Sequence, residues 1–481
     1  MIDNKWRILS GNQINQIHEM TLRVFSEVGI EVLQEKARRT WVDLGAKQDK
    51  DSNRILIPPA LVDKALKTVK SDFTCGGRDE KNDFVLGKGR LLGRNGGGPG
   101  QVIDLDSGEL RNATREDSAN YAKLVDALPN TQIAAPVYEQ DSRPETRDLH
   151  TLAMMFRNTS KHINIRLLNP QSLPYFIQMA AIVAGGEENL RSRPLITMLE
   201  SPVAPLKHPE VLTETILACG KYGIPLELCS MPITGATGPV TLAGSLLMSN
   251  VEMLAAVVFG QLTNPGMPMI FAPRIMVMDM AIGYALTGSV ENALLVTAGV
   301  QLAKEAYHMP VNMHGPYTDS PTSDCQAGIE NTYFSLMPAI AGADILTGAG
   351  HLQGGLVVNF AQLVIDDELV GMVDRAREGF AVDEEMLGFE AVKDSVTTGN
   401  LLTHPHTLKH YRDNTFRPKL VTRLARANWM AEGSKTMFDR AVDKVHHLLV
   451  NHVPNPLDEG KEKQISELLN EADKKLSQGV N

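Results

Sequence analysis

Eight short apolar runs constrain this chain more than any other feature. They are 131–139 (TQIAAPVYE), 162–168 (HINIRLL), 195–201 (LITMLES), 226–232 (LELCSMP), 267–273 (MPMIFAP), 310–316 (PVNMHGP), 343–350 (ADILTGAG) and 356–362 (LVVNFAQ). Each ends in Gly, Pro or a polar residue, and helical stretches separate most of them. Strands alternating with helices need crossover connections and give a parallel sheet. Eight such units predict a closed α/β architecture, a TIM (β/α)8 barrel. In that fold the working residues sit where the strands end, on the C-terminal face.

A barrel of roughly 250 residues leaves more than a hundred on each side of a 481-residue chain. The predicted division is a helical region with a small β hairpin over 1–130, the barrel over 131–365, and a helical extension over 366–481. Helices are expected at 10–30, 31–45 and 58–69. A hairpin should turn at Ser107-Gly108, and Thr114 should start a helix that stops before Pro129. Crossover helices are expected at 145–158, 171–184, 208–221, 241–262, 283–306 and 325–340. Two more, at 423–450 and 463–476, close the chain.

Composition narrows the class. A hydrophobic content of 43% supports a large core. No run reads as the roughly 20 apolar residues of a membrane span, and the first twenty residues lack a signal peptide's apolar stretch. The net charge of −10 argues against generic nucleic-acid binding. The four cysteines are scattered and form no CxxC, which suggests reduced, buried thiols and a cytoplasmic setting. The methionines of RIMVMDM (274–280) read as core filling, with a soft, adaptable wall as the alternative.

Several loops carry candidate chemistry. RNGGGPG (94–100) is neither GxGxxG nor a P-loop. It reads as a turn or a lid over the barrel mouth, from which Arg94 and Asn95 can reach a carboxylate. MPITGATGPVTLAG (231–244) is either an ordinary βα loop or a close-approach loop whose backbone N–H groups form a nest. HGPYTDSPTSDCQAG (314–328) supplies His314, Tyr317, Asp319 and Asp324. GAGHLQGG (348–355) exposes His351 and Gln353. Glu200 closes the third run, Tyr138 and Glu139 the first. Arg166 lies in the second run and Arg274 follows the fifth. Such charges at strand ends need a partner or a use, and an ion pair between Glu200 and Arg166 is the plain alternative. THPHTLKHYR (403–412), with Arg417, Lys419, Arg423 and Arg426, reads as a basic face able to dock an acidic partner. Metal is not expected, since no ligand set has metal spacing.

DLDSGELRNATREDSANYAKLVDALPN (104–130), MPITGATGPVTLAG, DSPTSDCQAGIEN (319–331), AGADILTGAGHL (341–352) and THPHTLKHYR, in this order, resemble the trimethylamine methyltransferase superfamily. The resemblance spans nearly the whole chain. It implies a TIM barrel with added terminal helices that moves a methyl group from an amine to the Co(I) corrinoid of a small partner protein. Founding members carry pyrrolysine near the barrel centre. This chain has only standard residues, so it resembles the non-pyrrolysine branch, similar to enzymes acting on glycine betaine, proline betaine, carnitine or γ-butyrobetaine. The position equivalent to pyrrolysine is sought within 314–326. The resemblance further implies a second methyltransferase that passes the methyl onward, ultimately to tetrahydrofolate in a bacterium.

The residues fit that chemistry. A quaternary ammonium leaves as a neutral tertiary amine, so no proton need be delivered, and positioning and desolvation remain as the enzyme's work. The expected catalytic residues are His351 and Glu200, the latter balancing the ammonium. The expected substrate-binding residues are Tyr138, Arg166, Phe271, Arg274, His314, Tyr317, Gln353 and Phe360, with aromatic faces toward the cation and arginines or His351 toward a carboxylate. No tightly bound cofactor is expected; the corrinoid is the partner's. A homo-oligomer is expected. The competing readings are a metal-dependent barrel hydrolase or lyase using His314, Asp319 and His351, and a catalytically silent betaine-binding or docking scaffold.

Overall fold

The computed structural model describes residues 7–477. Its central sheet has eight parallel strands: β1 (Leu92–Asn95), β2 (Thr131–Ala134), β3 (His162–Ile165), β4 (Ile196–Glu200), β5 (Leu226–Ser230), β6 (Met269–Pro273), β7 (Asn312–His314) and β8 (Ile345–Ala349). Their spatial order is β6-β5-β4-β3-β2-β1-β8-β7. The ends meet through one parallel bridge, Phe271 to Val311, with the Phe271 N–H donating to the Pro310 carbonyl at 2.9 Å. Sequential strands are therefore neighbours all the way round, the topology of a TIM barrel.

Each strand feeds a helix: α1 (Arg115–Ala127), α2 (Arg147–Asn158), α3 (Leu173–Ala184), α4 (Glu210–Tyr222), α5 (Leu242–Thr263), α6 (Val290–Gln301), α7 (Cys325–Ala341) and α8 (Phe360–Glu378). Local chemistry sets their starts. Thr114 and Asp117 form a reciprocal capping box on α1, and the Asn359 side chain accepts from the Gln362 N–H to open α8.

Two expectations change here. The barrel begins at Leu92, inside the segment assigned to 1–130. LLGRN is short and carries Gly and Arg, so it lacks the apolar signature of the other strands. Conversely, 356–362 is no barrel strand. Val357–Val358 pairs with His351–Leu352 and with Gln101–Ile103 of the hairpin that turns at Gly108, forming a small sheet on the barrel rim. Phe360 already belongs to α8, which crosses the expected boundary at 365.

The floor of the barrel is plugged. A hairpin of Phe73–Cys75 and Phe84–Leu86 packs four side chains against Leu92, Ile133, Ile270 and Ile345, the lower residues of β1, β2, β6 and β8. Among the described residues the barrel is thus closed below and opens at its C-terminal mouth. α5 is 22 residues long and apolar enough for a membrane span by length and composition, contrary to the sequence reading. It is buried on both sides, by the barrel and by the N-terminal helices: Trp41 lies 5.2 Å from Phe259, and Asn250 donates to Thr21 at 2.9 Å. An all-round apolar helix is what such a sandwiched position requires. Met276–Asp279 and Tyr284–Leu286 form a second rim hairpin, so the methionines of 274–280 are not core filling; Met280 is exposed. Cys75, Cys219 and Cys229 are buried, whereas Cys325 is exposed, and all four are free thiols.

Candidate active site

Side chains alternate along a strand, and at the upper ends of the barrel strands the inward positions are polar. Glu227 of β5 is fully buried at the centre. Its Oε1 accepts from Arg274 Nη2 at 2.5 Å and from Arg94 Nη1 at 3.4 Å. Its Oε2 accepts from Asn164 Nδ2 at 2.7 Å and Asn312 Nδ2 at 2.8 Å. Thr347 Oγ1 donates to Asn312 Oδ1 at 2.7 Å. Three strands, β1, β3 and β7, and the residue after β6 thus converge on one carboxylate of β5 whose acceptor capacity is filled. Burial pushes the Arg94 guanidinium down to about 10, with Glu227 pulling the other way. It stays charged at neutral pH, and two buried arginines face one carboxylate. Arg94 Nε and Arg274 Nε have no partner among the described residues.

Above this layer stand two imidazoles. Tyr317 stacks on His314 at 4.1 Å between ring centroids and meets His351 edge-on at 5.1 Å. Burial, then the Arg94 and Arg274 charges, pushes His351 down to about 3. Burial and the charge of Arg274 likewise hold His314 well below its usual value. Both rings are neutral at physiological pH, so the positive excess in the layer is not increased further. Among the described residues neither ring nitrogen of His351 has a partner, nor does His314 Nδ1. Orphaned buried nitrogens of this kind imply a ligand or water facing them. Gly96 and Gly355 press on the His351–Tyr317 pair; a Cβ at Gly96 would fall within the His351 ring's envelope, and one at Gly355 within that of the Tyr317 hydroxyl.

These groups line a cavity of about 460 Å³ at the mouth. The glycine strap Gly97–Gly100 forms one wall, held by the Gly98 N–H to the Pro136 carbonyl at 2.9 Å. Tyr138 donates its hydroxyl to the Arg166 carbonyl at 2.8 Å. Leu199, Cys229, Met231 and Leu356 supply apolar wall.

Six of the ten residues expected from sequence line this cavity: Tyr138, Arg166, Arg274, His314, Tyr317 and His351. Four do not. Glu200 lies between the lining residues Leu199 and Ser201 and therefore points out toward α4, where burial and then its charge push the Cys219 thiol up. It forms no ion pair with Arg166, and its Oε1 has no partner among the described residues. Burial, against the attraction of Arg166, raises its carboxyl to about 7. Phe271 faces the helical layer, 5.7 Å from the Tyr307 ring. Phe360 packs on Tyr121 at 5.2 Å, and Gln353 is exposed on the rim with φ 52°. Sequence reasoning nominated Arg94 but missed Glu227, Asn164, Asn312 and Thr347. The available signal for Glu227, Asn164 and Asn312 was a charged or amide residue inside an apolar run.

The competing metal set does not converge. Asp319 is occupied by the N–H groups of Thr287 and Gly288 and by the Thr287 hydroxyl at 2.6 Å. No cluster of three metal-ligating side chains occurs among the described residues. The basic face of 403–426 belongs to an arm leaving the base end of α8. There Arg377 donates to the Gly89 carbonyl at 2.7 Å, just before β1. The arm starts at the base, and by Leu420 and Val421 it is back against the middle of α8, where their N–H groups donate to Glu368.

Residues 2–477 match the family model described as trimethylamine methyltransferase. The chain is 35% identical to a trimethylamine methyltransferase of Desulfitobacterium hafniense, over 94% of this chain and 90% of that one. It is 30% identical to a glycine betaine methyltransferase of the same species, over 94% of each. A trimethylamine methyltransferase of Methanosarcina barkeri is 32% identical, over 97% of this chain and 95% of that one. Among solved structures, the monomethylamine methyltransferase of Methanosarcina barkeri covers 92% of this chain and 93% of its own, at 14% identity and a TM-score of 0.49.

Proposed function

The chain belongs to the trimethylamine methyltransferase family, and on that premise we propose that it demethylates a quaternary amine bearing a carboxylate. Glycine betaine, proline betaine and L-carnitine are of this betaine type. The proposed acceptor is the Co(I) corrinoid of a separate partner protein, which enters as a substrate. The observation that carries the reading is the charge balance of the cavity: two buried arginines against one carboxylate whose acceptor sites are already filled. A trimethylammonium ion alone leaves that excess unanswered. A betaine's carboxylate answers it, through charge-assisted hydrogen bonds to Arg94 and Arg274.

The carboxylate then sits low, and the ammonium faces Tyr138 and Tyr317 nearer the mouth. Cation–π attraction there is worth about 0.5–2 kcal/mol. Neutral His351 turns a free N–H toward the substrate without adding repulsion to the cation. No residue is required to deliver a proton, because the leaving amine is neutral. The protein's contribution is to hold one methyl in line with the mouth and to exclude water. Glu200 has no part in this scheme. A cytoplasmic setting, with a second enzyme taking the methyl from the corrinoid, completes the proposal.

The test is a visible spectrum. The purified chain is mixed with its corrinoid partner reduced to Co(I), and glycine betaine, proline betaine, carnitine, γ-butyrobetaine and trimethylamine are added in turn. The expected result is conversion to methyl-Co(III) with a carboxylate-bearing quaternary amine and none with trimethylamine. Conversion with trimethylamine alone overturns the carboxylate reading. No conversion with any of them, with Co(I) verified, overturns the methyl-transfer reading itself.

A further inference from the structure

Asp366, on α8, is a fully buried carboxylate that lies outside the cavity lining. Its Oδ2 accepts from the Gly350 N–H at 2.8 Å. Its Oδ1 accepts from Asn331 Nδ2 of α7 at 2.9 Å and from Gln362 Nε2 at 2.7 Å. Burying a carboxylate is costly, and only well-placed donors or a cation offset that cost. Here three N–H donors serve, and no cation does among the described residues. Two of the three are side-chain amides, which present an oxygen instead when they turn over. The Gly350 N–H has no such freedom. It is the donor for which this position needs an acceptor, and Gly350 is the residue before His351.

Gly350 turns the chain between β8 and His351, with φ 88°. A Cβ there would lie 2.5 Å from the Tyr121 hydroxyl and 2.9 Å from Leu363 Cβ, so the turn is wedged between α1 and α8. Its carbonyls are held as well. The Ala349 carbonyl accepts from the Gly96 N–H at 2.7 Å and the Tyr121 hydroxyl at 3.2 Å, and the Gly350 carbonyl accepts from the Asn359 N–H at 2.9 Å. The His351 ring, by contrast, has no hydrogen-bond partner among the described residues. It stands in a slot between two glycines. A Cβ at Gly96 would lie 2.2 Å from its Cδ2, and one at Gly355 3.3 Å from its Nδ1. A ring with no partner of its own takes its direction from its backbone, and hydrogen bonds behind a site residue are what lock that direction. We propose that Asp366 is the positioning residue for His351: by fixing the Gly350 N–H from the helical layer, it aims the imidazole into the cavity. The proposal rests on the reading that His351 faces the substrate.

The first arm of the experiment reads His351 directly. The full chain, without substrate, is isotope-labelled at its histidine ring nitrogens, and the His351 resonances are identified by their absence from His351→Ala. Asp366→Ala should move them while leaving those of His150, which pairs with Asp473, and His208, beside Glu252, in place. Asp366→Asn keeps one oxygen for the Gly350 N–H and should restore them. Unmoved His351 resonances in the Ala variant overturn the proposal. A shift of every histidine resonance also overturns it, because Asp366 then supports the fold at large. If the Ala variant fails to fold, Asp366→Ser, whose hydroxyl is one bond too short for Gly350, is read in the same way. The second arm is a double-variant cycle on kcat/KM for the betaine, followed as methyl-Co(III) formation. Asp366→Ala acts through the ring, so it should cost no more than His351→Ala, about two- to tenfold, and nothing further in the His351→Ala background. Equal losses in both backgrounds overturn the proposal. The ring resonances need neither substrate nor acceptor. A chain that transfers no methyl group therefore removes the proposed function, while the first arm still decides the role of Asp366.

Discussion

Replacing Arg94 by Met isolates the charge argument on which the substrate assignment rests. Arg94 is the more dispensable of the two arginines for the fold. It lies 3.4 Å from Glu227, whereas Arg274 lies at 2.5 Å and two amides fill the other carboxylate oxygen. Removing it leaves Arg274 as the one buried arginine against Glu227, so the buried layer loses its positive excess while exposed Arg166 stays on the wall, and Glu227 keeps three of its four bonds. Met follows most of the arginine's stem and keeps the apolar contacts. A hydrogen bond to a charged group contributes about 1.5–3 kcal/mol, and each 1.4 kcal/mol is about tenfold. The kcat/KM for the betaine should therefore fall by about 10- to 150-fold. The assay is the initial rate of methyl-Co(III) formation, run in parallel with tetramethylammonium, which has the cation but no carboxylate. Its slow rate should hold or rise, because a repulsive charge has gone. Equal losses for both substrates would refute the reasoning, and would mean that Arg94 supports the barrel rather than reads the carboxylate. An unchanged betaine rate would refute it equally.

Two further variants separate residues that the sequence grouped together. His351→Ala removes one neutral contact, so kcat/KM for the betaine should fall by about two- to tenfold. The wild-type rate should show no His351 titration between pH 6 and 8, since the ring's value is depressed to about 3; an inflection near 6.5 that disappears in the variant would contradict the neutral ring. Because the folded value lies below the ordinary 6.5, this histidine favours the fold above 6.5, and its contribution is lost as pH falls from there toward 3. Glu200→Gln should leave turnover intact, since the side chain faces α4. Its folded value of about 7 lies above the ordinary 4.5, so its stabilising effect is complete below 4.5 and lost as pH rises through 7. Thermal melts at pH 8.5 should therefore show the Gln variant above wild type by about 3 °C, and a gain of equal size at pH 4.5 would rule out ionisation as its cause.

The barrel was legible because six of its crossover helices and seven of its strands carry plain periodicity. The exceptions have physical reasons. β1 contains Gly93, whose absent side chain lets the Asn130 backbone approach, and Arg94, which the site needs. Both features erase the apolar signature of a strand. The run 356–362 has the right composition, yet Gly354 and Gly355 at positive φ turn the chain back onto the rim before it. The same parity decided the site. Arg274, His314 and Tyr317, chosen for lying at or just beyond strand ends, line the cavity. Glu200 and Phe271 are at strand ends too, but on the outward phase. A linear sequence shows where a strand stops more readily than which way its last residue points, and a one-residue error in phase moves a side chain from the cavity to the helical layer.

Glu227 shows the deeper reason why the site was only partly readable. It sits in LELCS, a run that reads as a buried strand, and by itself an acid there is only a cost. Its meaning arises from residues up to 133 positions away, Arg94 on one side and Asn312 on the other. Four donors from four elements converge on it, and that convergence fixes the charge of the cavity as well as its shape. Had a second carboxylate faced Arg274, the two buried arginines would be balanced and the layer suited to an uncharged or singly cationic amine. Because Glu227 stands alone and Glu200 points away, the excess charge remains directed at whatever enters from the mouth. The substrate's carboxylate is thus inferred from a sum over the whole layer, a quantity that no individual motif in the sequence contains.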